Sequence, residues 1–279
     1  MEGVWVRAAD REEAAQALAL LYGTSTEDFL PVIETLTNQW VAESQGRISG
    51  VVGLRPATQY GAELLGGPLP GPDHERVALA LLAVTLETQP HTFAYAEAER
   101  FSEVVLRSAG LFPVSAYREM TGPLPPGLPV IPAGYRLVPL AQVQDMDVRL
   151  AAQRAYLDQP GHTPATAADV VPNAHGSDDR LGWLAFSSAA EAVGTIRGWL
   201  EGETLSVGNP GVHAAHRHTE LRQALLLASC QAAGALGATA LRLQSWGETE
   251  RSWQADEALG LHSEVITPIY GPPLSASML

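Results

Sequence analysis

The stretch "GVHAAHRHTELRQALLLASC", Gly211 to Cys230, combines a short apolar strand, a loop rich in histidine and a long apolar helix. The first turn of a helix has unpaired N–H groups and the positive end of the helix dipole, so a strand-loop-helix unit of this kind often binds anions. Glycines would let a phosphate approach the backbone closely, but this loop carries Glu220. The stretch therefore predicts the architecture of a phosphate site that contains an opposing charge.

The same order of elements occurs in both halves of the chain. Each half has a strand and a helix, a hairpin-like pair, a strand-loop-helix unit, a further strand, and a short helix followed by a last strand. Gly110 and Gly260 follow the two short helices and suit the left-handed position that often ends a helix. The repeat predicts a tandem duplication.

Between the halves, the segment "TGPLPPGLPVIPAGY" at 121–135 holds five prolines and three glycines. It cannot form a regular helix or a central strand, which is typical of a linker. We therefore expect an N-terminal domain over 1–125, a linker over 126–134 and a C-terminal domain over 135–279.

Composition limits the partners of the protein. The formal net charge is −14, from 31 acidic and 17 basic residues, and all of the basic ones are arginine. This balance repels nucleic acid and anionic membranes. No apolar run approaches the about 18 residues that span a bilayer, and no leader pattern is present, so we expect a cytoplasmic protein with no membrane or nucleic-acid partner. A homodimer is compatible with the sequence, and the single cysteine, Cys230, is expected to be a buried helix residue.

The element order β-α-β-β-β-α-β-α-β resembles the GNAT superfamily of acyl-CoA N-acyltransferases, and the two copies resemble its tandem members. The resemblance covers nearly the whole chain. It implies an α/β fold of the α+β type, with two tandem GNAT-like domains, each a mixed, mostly antiparallel sheet flanked by helices. It also implies acetyl-CoA as the acyl donor and a small amine as the acceptor.

In that family the fourth strand leads into Arg/Gln-x-x-Gly-x-Gly/Ala, whose backbone amides bind the pyrophosphate of coenzyme A. In the second half Arg217 takes the Arg/Gln place, while Glu220 and Arg222 fall where glycines belong. In the first half Asp73 takes the Arg/Gln place and Arg76 the first glycine. Because the second loop has more positive or protonatable groups, the resemblance implies a coenzyme site there, consisting of Val212, His213, Arg217, His218, Thr219, Glu220, Leu221 and Arg222.

The resemblance also implies the catalytic groups. A backbone amide near 211–213 would polarise the thioester carbonyl. The candidates for a general base on the fourth or fifth strand are Glu203, His213 and Glu248. The family's common acid is a tyrosine in the closing helix, where this chain has Ser252 and Trp253 and no tyrosine until Tyr270, so the role is vacant or filled by another group. The histidines at 213, 216 and 218 lack a carboxylate or cysteine at a recognised spacing, so no metal site is expected.

Two functions from different classes follow. The first is an acetyl-CoA-dependent N-acetyltransferase that acts on a small amine, with the activity in the C-terminal domain. The alternative is a non-catalytic GNAT-like binding or interaction protein that has lost coenzyme A binding in one or both domains. Asp73, Glu220 and the missing tyrosine favour the alternative. The tryptophans of the second half suit either core packing or an apolar acceptor cleft.

Overall fold

The computed structural model describes residues 3–58, 60–159, 161–247 and 249–273. The chain divides into two compact units, of which unit 1 contains the residues up to Ala116 and those from Thr267 onward, and unit 2 contains Tyr117–Ile266. The elements of the first half are β1 (Trp5–Ala8), α1 (Arg11–Tyr22), α2 (Thr26–Glu34), β2 (Asn38–Ser44), β3 (Arg47–Pro56), β4 (Ala62–Pro68), α3 (His74–Thr88), β5 (Thr92–Tyr95), α4 (Glu103–Ser108) and β6 (Phe112–Pro123).

The second half repeats this order with additional breaks. Its elements are β7 (Tyr135–Pro139), α5 (Met146–Gln153), β8 (Trp183–Ser187), β9 (Ala192–Ile196), β10 (Gly198–Glu201), β11 (Thr204–Val207), β12 (Gly211–Val212), α6 (Leu221–Gly234), β13 (Ala240–Trp246), α7 (Glu250–Ala258) and β14 (His262–Gly271). Short 3₁₀ helices lie at Leu140–Gln142, Arg154–Tyr156, Ala167–Val170, Ala174–Gly176 and Ala214–His216.

Unit 1 is a sheet with helices on both faces. Its strand order is β1-β2-β3-β4-β5-β14, and every neighbouring pair is antiparallel except β4 with β5. Neighbouring residues of β3 point to opposite faces. Val51 therefore packs in a cluster with Leu18 of α1, whereas Val52 packs in another with Leu81 of α3.

Unit 2 contains two sheets. One has the order β6-β13-β11-β10 and the other β12-β9-β8-β7, and only the β11–β13 pair is parallel. Helix α6 covers both sheets, because Leu225 shares one buried cluster with Leu243 from the first sheet and Val193 from the second. Cys230 also lies in this cluster, and burial raises the pKa of its thiol to about 12.

Each unit takes a strand from the opposite half of the chain. In unit 1, β14 pairs with β5 through Ile269↔Tyr95 and Tyr270↔Ala94. In unit 2, β6 pairs with β13 over seven positions, from Ala240↔Pro123 to Trp246↔Tyr117. The domain ranges 1–125 and 135–279 stay a prediction. The two compact units differ from these ranges, because residues 117–125 belong to unit 2 and residues 267–273 belong to unit 1.

The predicted fold class is confirmed, since both units are mixed, mostly antiparallel sheets flanked by helices. The predicted hairpin turn before β3 uses Gln45 and Gly46, both at positive φ, as a two-residue turn with a left-handed backbone requires. Gly110 and Gly260 are also left-handed, with φ of 83° and 93°. Within the described ranges no helix is long and apolar enough to cross a bilayer.

Candidate functional site

The fourth strand of the second half is split, and the split opens a cleft in unit 2. Strand β11 pairs with β13 as far as Val207↔Leu243 and then leaves it. After Gly208–Pro210 the chain resumes as β12, which pairs with β9 in the other sheet. Strand β13 meanwhile continues to Trp246 beside β6. The two strands therefore diverge at the point where the central loop begins.

A cavity of about 320 Å³ lies at this divergence and reaches the N-terminus of α6. Most of its lining comes from the end of the split strand, the central loop, the first turn of α6 and the first turns of α7. The lining residues are Gln159, Pro210, Val212, Arg217, Thr219, Glu220, Arg222, Gln223, Gly247, Thr249, Arg251, Ser252 and Ala255. The structure thus brings together five residues of the predicted coenzyme site, at positions 212, 217, 219, 220 and 222.

The backbone of Val212 faces this cavity. Strand β12 is antiparallel to β9, and the N–H of His213 donates to the carbonyl of Val193 at 2.9 Å. Because N–H groups alternate along an antiparallel strand, the N–H of Val212 points away from β9. Its carbonyl, on the same side, accepts from Nε of Arg217 at 2.8 Å. The cleft therefore has a backbone donor in its wall.

Tyr156 holds the split strand in place. Its hydroxyl accepts from the N–H of Gly211 at 2.9 Å and donates to the carbonyl of Asn209 in a short hydrogen bond. The ring packs so closely that a Cβ at Gly211 would lie 2.4 Å from it. Position 211 therefore requires glycine for close approach, and Tyr156 fixes the backbone one residue before Val212.

Two arginines of the predicted site already have carboxylate partners. Arg217 forms a bidentate pair with Asp158 at 2.6 and 2.7 Å and also donates to the carbonyl of Ala155. Arg222 forms a bidentate pair with Asp256 of α7, at 2.8 and 2.9 Å, and that carboxylate is almost completely buried. Both arginines therefore hold the walls of the cavity in place. Because their charges are already paired, they compensate the negative charge of Glu220 less than the sequence suggested.

The N-terminus of α6 has little capping from side chains. Glu220 occupies the N-cap position, but its side chain makes no capping hydrogen bond and is exposed. The N–H of Leu221 donates to Oγ1 of Thr219 at 3.3 Å. His218 is exposed in the loop. Part of the helix terminus is thus directed toward the cavity with a carboxylate beside it.

Helix α7 contributes residues that the sequence analysis did not select. Within the part of the chain that the structure describes, Arg251 has no carboxylate partner, and it lines the cavity close to the N-terminus of α7. Ser252 lines it too, with Oγ 3.1 Å from Oγ1 of Thr249, the N-cap residue. The position of Arg251, in the first turn of a helix capped by Thr249, could have suggested an anion site from the sequence. Only the fold shows that this turn lies beside the N-terminus of α6.

The three candidate bases lie apart. Glu203 is exposed at the start of β11, at the end remote from the split, and contacts Thr239. Nε2 of His213 donates to the backbone carbonyl of Ala151 in α5 at 3.1 Å, and His213 lines a separate cavity of about 520 Å³. Glu248 lies outside the described residues, although its neighbours Gly247 and Thr249 line the main cavity. The structure brings neither Glu203 nor His213 to the cavity, and the catalytic roles stay predictions.

The equivalent loop in unit 1 holds its own carboxylate. At the N-terminus of α3, Asp73 accepts from Oγ of Ser44 at 2.8 Å and from Nη1 of Arg76 at 2.9 Å. On β4, beyond Glu63, the last residue that pairs with β5, the N–H of Gly66 donates to the hydroxyl of Tyr22. In this copy the carboxylate at the helix N-terminus is therefore held by the side chains of Ser44 and Arg76, and one amide of the fourth strand already has a partner.

Comparison with known proteins gives structural matches only. No family model matches the chain, and no curated protein matches it. A GCN5-related N-acetyltransferase from Sphaerobacter thermophilus has a TM-score of 0.61 at 18% identity, covering 98% of both chains. A tandem GNAT protein from the clavulanic acid biosynthesis pathway has a TM-score of 0.54 at 16% identity, covering 97% of this chain and 100% of that one. Eis1 from Mycobacterium abscessus has a TM-score of 0.54 at 15% identity, covering 95% of this chain and 73% of that one.

These matches extend over nearly the whole of this chain, including both halves. The chain therefore has the tandem fold of the GNAT N-acetyltransferases, as the order of elements predicted. At these identities the matches establish the fold, and function has to be argued from the site.

Proposed function

We propose that the protein is an acetyl-CoA-dependent N-acetyltransferase that acts on a small amine, with the reaction in unit 2. The observation that carries this proposal is the split between β11 and β12, which opens a cleft beside β13 that Val212 lines, with an N–H that points away from β9. A thioester placed in this cleft would meet a fixed backbone donor at its carbonyl oxygen.

In the reaction, the nitrogen of a neutral amine attacks the thioester carbonyl and a C–N bond forms. Negative charge develops on the carbonyl oxygen, and the N–H of Val212 stabilises it. The C–S bond then breaks, and one N–H proton of the amine moves to the departing thiolate, which leaves as the thiol. The hydroxyl of Ser252, in the cavity lining, would donate a hydrogen bond to the departing sulfur.

The phosphates of the coenzyme would lie toward the first turn of α6 and Arg251. That turn offers backbone donors and the positive end of the helix dipole. Among the described residues, three arginines and three carboxylates lie in or beside the cavity lining: Arg217, Arg222 and Arg251, with Asp158, Asp256 and Glu220. Two of these arginines are ion-paired, and within the same residues Arg251 has no carboxylate partner, so Arg251 is the arginine proposed to contact a phosphate.

The test is a change of the backbone donor itself. Val212→Pro removes only one N–H, and that N–H lies outside the β9 ladder, so the strand pairing is retained. We expect acetyl-CoA to bind Val212→Pro as it binds the wild type, with turnover reduced about 10²–10³-fold. Val212→Ala, which keeps the N–H, serves as the matched control. Equal turnover in the proline and alanine variants would contradict the proposed role, and no heat of binding in the wild type at millimolar acetyl-CoA would contradict the function.

The alternative function, a non-catalytic GNAT-like binding protein, is favoured by the pairing of Arg217 and Arg222 and by the exposed carboxylate of Glu220. The loop of unit 1 fits this alternative too, because Asp73 at the N-cap of α3 adds a carboxylate where a phosphate would bind. Calorimetry with acetyl-CoA separates the two functions. An enzyme binds the coenzyme and releases thiol when an amine is added, whereas the alternative predicts neither.

A further inference from the structure

Four aromatic side chains follow one another in unit 2, and we call them the aromatic row: Tyr156, His162, Trp246 and Tyr117. The rings of Tyr156 and His162 are stacked with centroids 4.6 Å apart. His162 meets Trp246 at 6.0 Å, and Trp246 meets Tyr117 at 4.8 Å. All four side chains are half-buried, so part of each is exposed.

The aromatic row connects the two walls of the cleft. At one end the hydroxyl of Tyr156 binds the N–H of Gly211, in the wall formed by β12. Trp246, the third member of the row, is the last residue of β13, and the next residue, Gly247, lines the cavity. A molecule lying on the row is therefore adjacent to the position proposed for the thioester carbonyl.

The row also lies on the opposite side of the sheet from α6. Along β13, Leu241 and Leu243 point into the core that α6 covers, whereas Gln244 and Trp246 alternate to the other face. Their partners on β6 are Glu119 and Tyr117. Coenzyme and acceptor would thus approach the cleft from opposite faces of the sheet.

A carboxylate adjoins the row. Glu119 accepts from the hydroxyl of Tyr117 at 3.2 Å and from Nε2 of Gln244 at 3.4 Å. Its contact with Arg242 is long, at 3.7 Å, because that guanidinium pairs with Glu201 at 2.6 Å. Burial, with the nearby Glu119 carboxylate, raises the pKa of Tyr117 to about 12, so its hydroxyl stays a neutral donor.

Around Glu119, the side chains that the structure describes include more carboxylates than arginines. The carboxylates include Glu119, Glu201 and Glu264, the last of which accepts from Oγ1 of Thr121 at 2.6 Å. Arg242 is the arginine that pairs with the first two. A cation is therefore favoured here over an anion.

From these observations we propose that the acceptor is a protonated primary amine on a flat, apolar body, which stacks on the aromatic row with its ammonium toward Glu119. Aromatic faces attract both flat rings and cations, and a half-buried carboxylate adds a charged hydrogen bond. This inference rests on the proposed function. The bound ammonium transfers one proton to Glu119, which passes it to water, and the neutral nitrogen then attacks the thioester.

The test uses the full-length protein and 2-phenylethylamine, with n-butylamine as an amine of similar charge that lacks a ring. Binding of each amine is measured by calorimetry without coenzyme, and thiol release is measured with acetyl-CoA. We expect 2-phenylethylamine to bind about tenfold more tightly than n-butylamine, because ring stacking and cation–π contact add to the ionic contact.

Two variants are each compared with a matched control. Glu119→Gln is expected to weaken binding of both amines about tenfold while leaving the affinity for acetyl-CoA unchanged. Trp246→Leu is expected to remove the preference for the ring. The controls are Glu257→Gln and Trp5→Leu, since both side chains are exposed and lie away from the row. If Trp246→Leu fails to fold, Glu119→Gln still decides the question.

The outcomes separate this inference from the proposed function. Ring-selective amine binding without thiol release would support the amine site and contradict the transferase. Thiol release with n-butylamine or an amino sugar at equal or higher kcat/KM, unaffected by Glu119→Gln, would support the transferase and overturn the inference.

Discussion

Arg217, Arg222 and Arg251 surround one cavity, and their partners determine what each can do. The first two are held by Asp158 and Asp256, so they order the walls of the cavity. Arg251 is exposed beside the exposed carboxylate of Glu220, which also lines the cavity. The affinity of the site for a polyphosphate therefore depends on the balance between these last two side chains.

Replacing Glu220 with glutamine is expected to tighten acetyl-CoA binding about fivefold, because an exposed carboxylate near a phosphate costs about 1 kcal/mol in water. Arg251→Ala is expected to weaken binding by a similar factor. Calorimetry at low and high salt measures both changes, and screening should reduce both. Unchanged affinity in both variants would place the phosphates elsewhere.

At this scale the sequence selected residues that line one cavity, but it did not predict the partners of their side chains. Residues at 212, 217, 219, 220 and 222 were selected because a strand-loop-helix unit can be recognised locally, and they line one cavity. The partner of Arg217 is 59 residues away in sequence and could not be inferred from spacing. Glu203 was selected for its strand, but the direction of β11 places it at the far end.

At the scale of elements, a tyrosine in each unit forms a hydrogen bond to the fourth strand from the helical segment that precedes the second strand. Tyr22 ends α1 and its hydroxyl accepts from the N–H of Gly66, and Tyr156 ends the 3₁₀ turn after α5 and accepts from the N–H of Gly211. Local patterns predicted the helices and strands. They did not predict this contact, because it joins elements that are distant in sequence.

Tyr156→Phe is expected to destabilise unit 2 by about 1–2 kcal/mol, since it removes the hydrogen bonds of the hydroxyl to Asn209 and Thr195 and leaves the N–H of Gly211 without its acceptor. Tyr22→Phe is the matched change in unit 1. Hydrogen exchange of the amides in each unit measures the effect. If Tyr156→Phe were to accelerate exchange in unit 1 as strongly as in unit 2, the local role of this hydroxyl would be wrong.

Helix α6 contains the single cysteine, which serves as a probe of that helix. Cys230 is buried and the pKa of its thiol is raised to about 12 by burial, so little thiolate forms in the folded protein. At pH 8 we expect a disulfide reagent to label native protein at least about 10³-fold more slowly than unfolded protein. Rapid labelling without denaturant would contradict the packing of α6. A thiol-release assay should therefore report coenzyme A alone.

At the scale of the whole molecule, strand β14 belongs to the second half of the chain but completes the sheet of unit 1. Tyr270 is fully buried there, and its hydroxyl donates to Oε2 of Glu103 at 2.6 Å. The repeat in the sequence predicted two copies of one fold. It did not reveal the exchange of strands, because the last strand has the same pattern whichever sheet it joins.

Tyr270→Ala is expected to destabilise unit 1 by about 3–5 kcal/mol, because it leaves a cavity in the core and removes the hydrogen bond to Glu103. Val265→Ala, on the exposed part of the same strand, should change stability by less than about 0.5 kcal/mol. Denaturation followed by hydrogen exchange in α3 measures both variants. Equal stability of the two would show that β14 contributes little to unit 1.

The strand exchange also affects synthesis. During translation, the part of unit 1 that ends at Ala116 leaves the ribosome first. Its sheet lacks a partner for β5 until Ile269 and Tyr270 have been made. Domains that can fold early usually do so while the rest of the chain is still being synthesised. Here, the nascent first half exposes an unpaired β5 edge throughout synthesis of the second. A stalled or truncated chain would therefore be prone to aggregate through that edge, and the two halves could not be separated by a simple gene fission.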